Sequence, residues 1–262
     1  MAPQLKYINK LEGKHIIVIG GSSGIGYGVA EASLESGAIV TVSSSQQAKV
    51  DAAVTSLKGS YPEAKVSGIA SNLGDPVTVE DALEALFKQA TTMSGQISHV
   101  VFTAADALAI GALQETSVEM VYKAAQMRMI APLITGKVAA RYLDKSAKSS
   151  FTITTGVAAE KPGKGWAAVA YFAGGLQGLT KALATDLGPI RVNCVRPGYV
   201  NTGLWDGMGE EAKEAFFREA GGKMPVGRVG EIEDVVEAYL WLMKDANVTG
   251  TIAGTDSGAM LI

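Results

Sequence analysis

The segment Ile16-Ile17-Val18-Ile19-Gly20-Gly21-Ser22-Ser23-Gly24-Ile25-Gly26 limits what this chain can fold into more than any other stretch. A β-branched apolar run bounded by glycine reads as a buried strand, and residues 27–35 carry the apolar spacing of a helix. A strand, a glycine turn and a helix start together make an anion site. Peptide N–H groups left free in the first helical turn point at whatever sits there, and the helix dipole favours negative charge. Gly20, Gly24 and Gly26 let backbone approach a pyrophosphate closely. A tight turn with no ligand is the plain alternative. Placement after a strand and before a helix is the context a dinucleotide-binding turn requires.

Strand and helix signals alternate along the rest of the chain, which argues for a parallel sheet covered on both faces, an α/β fold in one domain over 1–262. Strands are expected at 38–43, 65–70, 97–103, 150–155, 191–195 and 251–255. Helices are expected at 46–58, 79–93, 166–186 and 232–243, with Asp75 placed to cap the second of these near Pro76. A long helical pattern over 117–143 contains Pro132, which should kink it. Residues 201–222, rich in Gly, Met, Trp and Phe, read as a helical flap over the site.

With 262 residues, 47% of them hydrophobic, the chain can bury a large core. Its net charge of −3, with the signs intermingled, gives no support to nucleic-acid binding. The single cysteine, Cys194, has apolar neighbours and reads as a buried strand thiol, in keeping with a reducing compartment. The N-terminal residues 1–13 lack a signal-peptide core, and no run approaches the roughly 20 apolar residues of a membrane span. A soluble, cytoplasmic protein with no membrane partner and no metal site is expected.

The Gly-x-x-x-Gly-x-Gly spacing, with Ser22, Ser23 and Ile25 inside it, resembles the short-chain dehydrogenase/reductase family over nearly the whole chain. The resemblance implies a doubly wound Rossmann-type domain that binds NAD or NADP. In this architecture an acidic residue at the end of the second strand selects NAD through the ribose hydroxyl, and here Ser43, Ser44 and Ser45 stand in its place with Lys49 within reach. NADP(H) is the better fit; a solvated serine turn indifferent to both cofactors is the alternative. By resemblance, Asn72-Leu73 contacts the adenine. Thr103-Ala104-Ala105-Asp106 replaces the family's Asn-Asn-Ala-Gly at the end of the fourth strand, a departure that turns the glycine into Asp106. Pro197-Gly198-Tyr199-Val200-Asn201-Thr202 matches the Pro-Gly-x-x-x-Thr that holds the nicotinamide, with Leu204 beyond it.

The family's chemistry is altered in all four usual roles. Members reduce carbonyls with a tyrosine acid and a lysine four residues on, helped by a serine and an asparagine. Alignment on Gly178-Leu179-Thr180-Lys181 puts Val169 at the tyrosine and Ala173 at the lysine, Arg128 at the asparagine, and Thr154 or Thr155 at the serine. A hydride added to a neutral carbonyl leaves an alkoxide, and a positioned acid is worth ~10²–10⁴-fold there. Addition to an iminium gives a neutral amine and needs no acid.

Trp166 follows a long charged loop at the carboxyl end of the fifth strand, where open α/β sheets bind ligands. It either stacks on an aromatic substrate or packs the helix start. Arg128, on an apolar stretch, is either an anchor for a substrate oxygen or half of a structural salt bridge with Glu160 or Asp106. Glu160, Lys161 and Lys164 read chiefly as solvated charges, with Glu160 kept as a candidate acid. The combination is similar to a fungal branch of the family, the NADPH-dependent reductases that double as Diels-Alderases in the paraherquamide and malbrancheamide indole-alkaloid pathways. The resemblance implies roles for Arg128 and Trp166 and an azadiene or iminium substrate closed by [4+2] cycloaddition. That branch has an aspartate where this chain has Gly163. The rival readings are an enzyme-dead NADP(H)-binding protein and a carbonyl reductase using Tyr171 or Tyr199. Family members usually form dimers or tetramers, and the apolar face over 173–183 allows that.

Overall fold

The computed structural model describes residues 6–262; residues 1–5, which the expected domain and leader-free N-terminus include, lie outside the described residues. Seven parallel strands form one sheet in the order β3-β2-β1-β4-β5-β6-β7. They are β1 (His15–Ile19), β2 (Ile39–Ser44), β3 (Val66–Ala70), β4 (Ile97–Phe102), β5 (Ser150–Thr154), β6 (Arg191–Pro197) and β7 (Ile252–Thr255). Every residue of β1 is buried, as a central strand covered on both faces requires. Its side chains alternate: Ile17 and Ile19 enter one core with Leu83, Phe87 and Phe151, while Ile16 and Val18 enter the other with Val29, Val235 and Tyr239.

The first core is roofed by α3 (Val79–Ser94), α5 (Ala131–Tyr142) and α6 (Ala167–Asp186), the second by α1 (Gly24–Glu35), α2 (Gln47–Ser60) and α8 (Ile232–Lys244). This is the expected doubly wound fold. Strand order reverses between β1 and β4, and the loops leaving those two strands bound the crevice where such sheets take ligands.

Two local expectations need correction. Asp75 does not cap α3, whose N-cap is Thr78; its carboxylate accepts instead from the Val77 N–H (2.8 Å), closing a turn before the helix. The long helix pattern is broken upstream of Pro132. α4 (Val118–Ala125) passes into a π turn at Gln126–Ile130, and α5 restarts with Pro132 in its first turn. Proline has no N–H to give the carbonyl four residues back, which belongs to Arg128, so the irregular turn falls where the helical ladder is already incomplete. The flap segment contains a 3-10 stretch at Gly203–Met208 and α7 (Glu210–Lys223).

Candidate functional site

The glycine turn leaves β1 through Gly20, at φ +91, a backbone setting costly for residues with a side chain. A Cβ on Gly20 would lie 2.4 Å from the Ala104 nitrogen, and one on Gly26 would lie 2.2 Å from the Gly20 carbonyl oxygen and 2.4 Å from Thr103 Oγ1. Close approach is built in. Thr103 is pinned there, since both its N–H (2.8 Å) and its hydroxyl (3.1 Å) donate to the Ile19 carbonyl. Ser23 begins α1 without a side-chain cap bond, so the first-turn amides keep their capacity to bind an anion. Thr202 packs across from Gly24, 3.4 Å from where a Cβ would stand, and Gly198 passes 2.8 Å from the Asp256 Cα on the same measure. The structure thus brings together Gly20, Gly24, Gly26, Thr103, Ala104 and Thr202; Ser22 and Ile25 are half-buried beside them, and Ser23 and Ala105 are exposed. These residues fit a dinucleotide: the glycines let the turn close tightly on itself and on the loop after β4, and the open helix start supplies donors.

Around this cradle the other expected contacts divide. Leu73 is buried and its carbonyl accepts from Gln126 Nε2 (2.8 Å), while exposed Asn72 closes a turn onto the Gly74 N–H (3.0 Å). Gln126, a residue absent from the sequence argument, thereby ties the loop after β3 to the π turn that carries Arg128. Pro197 and Val200 are buried, Val200 bridging Gly230, and Leu204 is exposed. Ser43 is fully buried in β2; its carbonyl accepts from Gly20 and Gly21, and its hydroxyl has no partner. Its expected contact with the ribose is therefore corrected, because its side chain points into the sheet. Ser44, half-buried, and Ser45 and Lys49, exposed, are the groups left at that edge.

The two α6 positions aligned above with the family's tyrosine and lysine carry hydrocarbon side chains. Val169 and Ala173 are buried one turn apart on α6, and Thr155 Oγ1 donates to the Ala173 carbonyl (2.8 Å). Thr155 is thus committed to the helix backbone. Thr154 is committed as well, to the Phe102 carbonyl (2.8 Å) and the Tyr239 hydroxyl (2.7 Å), so a cofactor role for its hydroxyl is corrected to one of joining β5, β4 and α8. Glu160 is corrected as a candidate acid: its carboxylate accepts from Gln177 (3.0 Å) and from Arg196 (2.6 Å), and these bonds hold it below the usual carboxylate range. Arg196 also binds Asp256 (3.1 Å), clamping the loop after β5 to the turn after β7. Tyr171 lies on the far side of α6 from Val169 and Ala173 and is 65% exposed.

Arg128 reaches back from the π turn to the loop after β4. Its Nη2 donates to the Asp106 carbonyl and, at 3.4 Å, to that of Ala107, while its Nε stands 3.4 Å from Asp106 Oδ1. Burial pulls its pKa down and Asp106 opposes the shift. Of the two salt bridges considered from sequence, the structure makes the one with Asp106.

Trp166 is half-buried at the start of α6, with Gly163 against its ring edge. Its ring centroid lies 6.4 Å from that of Trp205, which also meets Tyr199 (5.8 Å), Phe216 (5.2 Å) and Phe217 (6.0 Å). Trp205, Phe216 and Phe217 were not singled out from the sequence; the enrichment of 201–222 in Trp and Phe was the signal. A cavity of about 240 Å3 opens nearby between the loop after β4 and α6, lined by Ala109, Ile110, Gly111, Met120, Val121 and Ala168. Among the described residues no group of three His, Cys, Asp or Glu side chains is placed to hold a metal, and no helix is long and apolar enough to cross a membrane.

Comparison with known proteins follows the same lines. The chain is 42% identical over 265 residues to the short-chain dehydrogenase/reductase fsr5 of Gibberella fujikuroi, covering all of both chains. It is 36% identical over 264 residues to the short-chain dehydrogenase/reductase malC of Malbranchea aurantiaca, again over all of both. The solved MalC reductase/Diels-Alderase superposes with a TM-score of 0.92, covering 97% of this chain and 99% of that one. A small-chain dehydrogenase in complex with NADPH, 26% identical, superposes with a TM-score of 0.78 over 95% of this chain and 99% of that one. A family model for an SDR-like Rossmann domain matches residues 7–262. With that match and full-length relatives on both counts, this chain belongs to the short-chain dehydrogenase/reductase family of nicotinamide-dependent oxidoreductases.

Proposed function

We propose that this protein is an NADP(H)-dependent reductase of a secondary-metabolite pathway whose substrate, an aromatic compound of the indole-alkaloid kind, presents an already cationic C=N carbon. The observation that carries the reading is the hydrocarbon at Val169 and Ala173 together with the Thr155 hydroxyl turned into the helix. Neither side chain can give a proton to a nascent alkoxide. An iminium carbon takes a hydride, its C=N π pair becomes the nitrogen lone pair, and the product is a neutral amine with no proton consumed. The dihydronicotinamide of the bound cofactor supplies the hydride.

The chain's own part is to bind, orient and exclude water. Gly20, Gly24, Gly26 and the first turn of α1 would hold the pyrophosphate, with Thr103, Ala104, Thr202 and the Pro197-Gly198 turn toward the nicotinamide end. Ser44, Ser45 and Lys49 favour a 2′-phosphate, since that edge carries no carboxylate to repel it. Trp166 and Trp205 offer stacking surface, and the MalC name supports extending the reading to a [4+2] closure promoted by holding the reacting ends together. The test is consumption of NADPH with a cyclic iminium and with a ketone of the same ring skeleton. Turnover of the iminium should exceed that of the ketone by at least ~10²-fold, the lower end of what a missing acid costs. Equal rates would return the protein to carbonyl reduction, and tight cofactor binding without turnover would make it a binding protein.

A further inference from the structure

The π turn grips the loop after β3 and the loop after β4, and one side chain makes each connection. Gln126 opens that turn, and its carbonyl accepts the Ala131 N–H that closes it. Its side chain bonds elsewhere: Nε2 donates to the Leu73 carbonyl at 2.8 Å, in the loop after β3. The residue is buried, at 6% exposure, and its Oε1 has no donor among the described residues. An unmet buried acceptor is costly, so mere filling of this space would be better done by hydrocarbon. The single bond to Leu73 is what an amide adds here.

The bonds on either side of Gln126 extend the connection. At one end Ser44 pairs with Ala70 in the sheet, and the Ser71 N–H donates to the Ser44 carbonyl (2.9 Å), which joins the β2 edge to the loop carrying Leu73. At the other end Arg128, two residues past Gln126, donates to the carbonyls of Asp106 and Ala107 in the loop after β4. That loop starts at Thr103 and Ala104 against Gly20 of the cradle, and its Gly111 N–H binds the Gly165 carbonyl (3.0 Å), next to Trp166. Hydrogen bonds and short chain segments thus run from the edge proposed for the 2′-phosphate to the residue before Trp166.

We infer that Gln126 is a positioning residue: through the Leu73 carbonyl it couples the Ser44 edge to the loop after β4, so that seating the phosphorylated adenosine half of the cofactor steadies that loop. Arg128 supplies the other half of the clasp. This goes beyond the reductase reading above and rests on its NADP(H) part.

The test uses the full chain and adenosine 2′,5′-bisphosphate, a half-cofactor with neither the nicotinamide nor its ribose. Binding is measured by calorimetry, and amide exchange over residues 106–111 by mass spectrometry with and without saturating ligand. In the unaltered protein exchange there should slow about 3- to 10-fold on binding, the scale of one hydrogen bond. Gln126→Met should still bind the ligand and show no slowing over 106–111; Gln126→Leu, read the same way, serves if the first variant does not fold. A general loosening would raise exchange with and without ligand alike, whereas loss of the difference is specific to coupling. Ligand bound with no slowing in the unaltered protein, or slowing that survives the substitution, overturns the assignment and leaves the reductase reading standing. Failure of the ligand to bind removes the 2′-phosphate edge, and the assignment with it. Slowing that depends on Gln126 in a protein that oxidises no NADPH keeps the assignment and removes the reductase.

Discussion

His99 occupies the middle of the sheet at 2% exposure, its Nδ1 2.8 Å from Ser150 Oγ. Burial first, then the charges of Arg191 and Lys14, push its pKa from 6.5 down to about 3, and burial lowers that of His15 as well. In the unfolded chain His99 takes up a proton below its ordinary value while the folded protein keeps it neutral. Its contribution is therefore intact above the unfolded value and drains away as the pH falls toward the folded one, at about 1.4 kcal/mol per pH unit. Melting temperature measured against pH should decline steadily on the acid side, and His99→Gln should make that decline shallower. An unchanged acid slope in the variant would mean that other groups govern it. The buried cysteine follows the same logic in the other direction: Cys194, in β6, has its thiol pushed up to about 12 by burial, as its apolar neighbours in sequence suggested. Arg191 was illegible in the sequence. It is buried without a hydrogen-bonded carboxylate, donating instead to four carbonyls, two of them Leu242 and Met243 at the end of α8. A cation satisfied by a helix terminus and loop carbonyls leaves no motif.

Among the elements, the flap shows best how local composition and tertiary contact divide the information. The residue content of 201–222 announced helices and rings; only the folded chain shows that Trp205 is the ring joining them to Trp166. No residue from 203 to 223 belongs to either main core, so the aromatic cluster is what holds this segment down. Each ring pair is worth roughly 0.5–1.5 kcal/mol beyond its buried area. Trp205→Ala should therefore raise amide exchange in α7 by at least tenfold with little change in the global melting temperature. Exchange measured by mass spectrometry decides it; unchanged protection of α7 would show that the flap is held by other contacts. The π turn makes the same point about boundaries. Pro132 was a reliable sign of disruption, but the disruption sits a turn upstream, where the lost hydrogen bond is felt, and it is there that Arg128 is turned toward Asp106.

At the scale of the whole molecule, the helical run from α4 through the π turn to α5 exposes apolar side chains to solvent. Val118, Tyr122, Ile130 and Leu133 lie on it, Tyr122 at 73% exposed, and Tyr171 of α6 adds a further exposed apolar ring. A monomer gains nothing from such a surface, and a second copy of the chain would cover it. The protein should sediment as a dimer or tetramer at micromolar concentration, and Leu133→Glu should shift it toward monomer. A monomeric unaltered protein in analytical ultracentrifugation would remove this expectation.

The alternation of strands and helices and the tight glycine turn were legible in the chain, because each is a pattern among near neighbours: a period of two or of 3.6, and a turn needing room for backbone. Which charge meets which was decided by the fold alone. Glu160 looked free until β6 brought Arg196 to it, Ser43 looked available until β2 turned it inward, and Arg128 had two carboxylates to choose from until the π turn aimed it at the loop after β4. Ion pairs and buried hydroxyls depend on distances between segments far apart in sequence, which only the packed sheet and helices set.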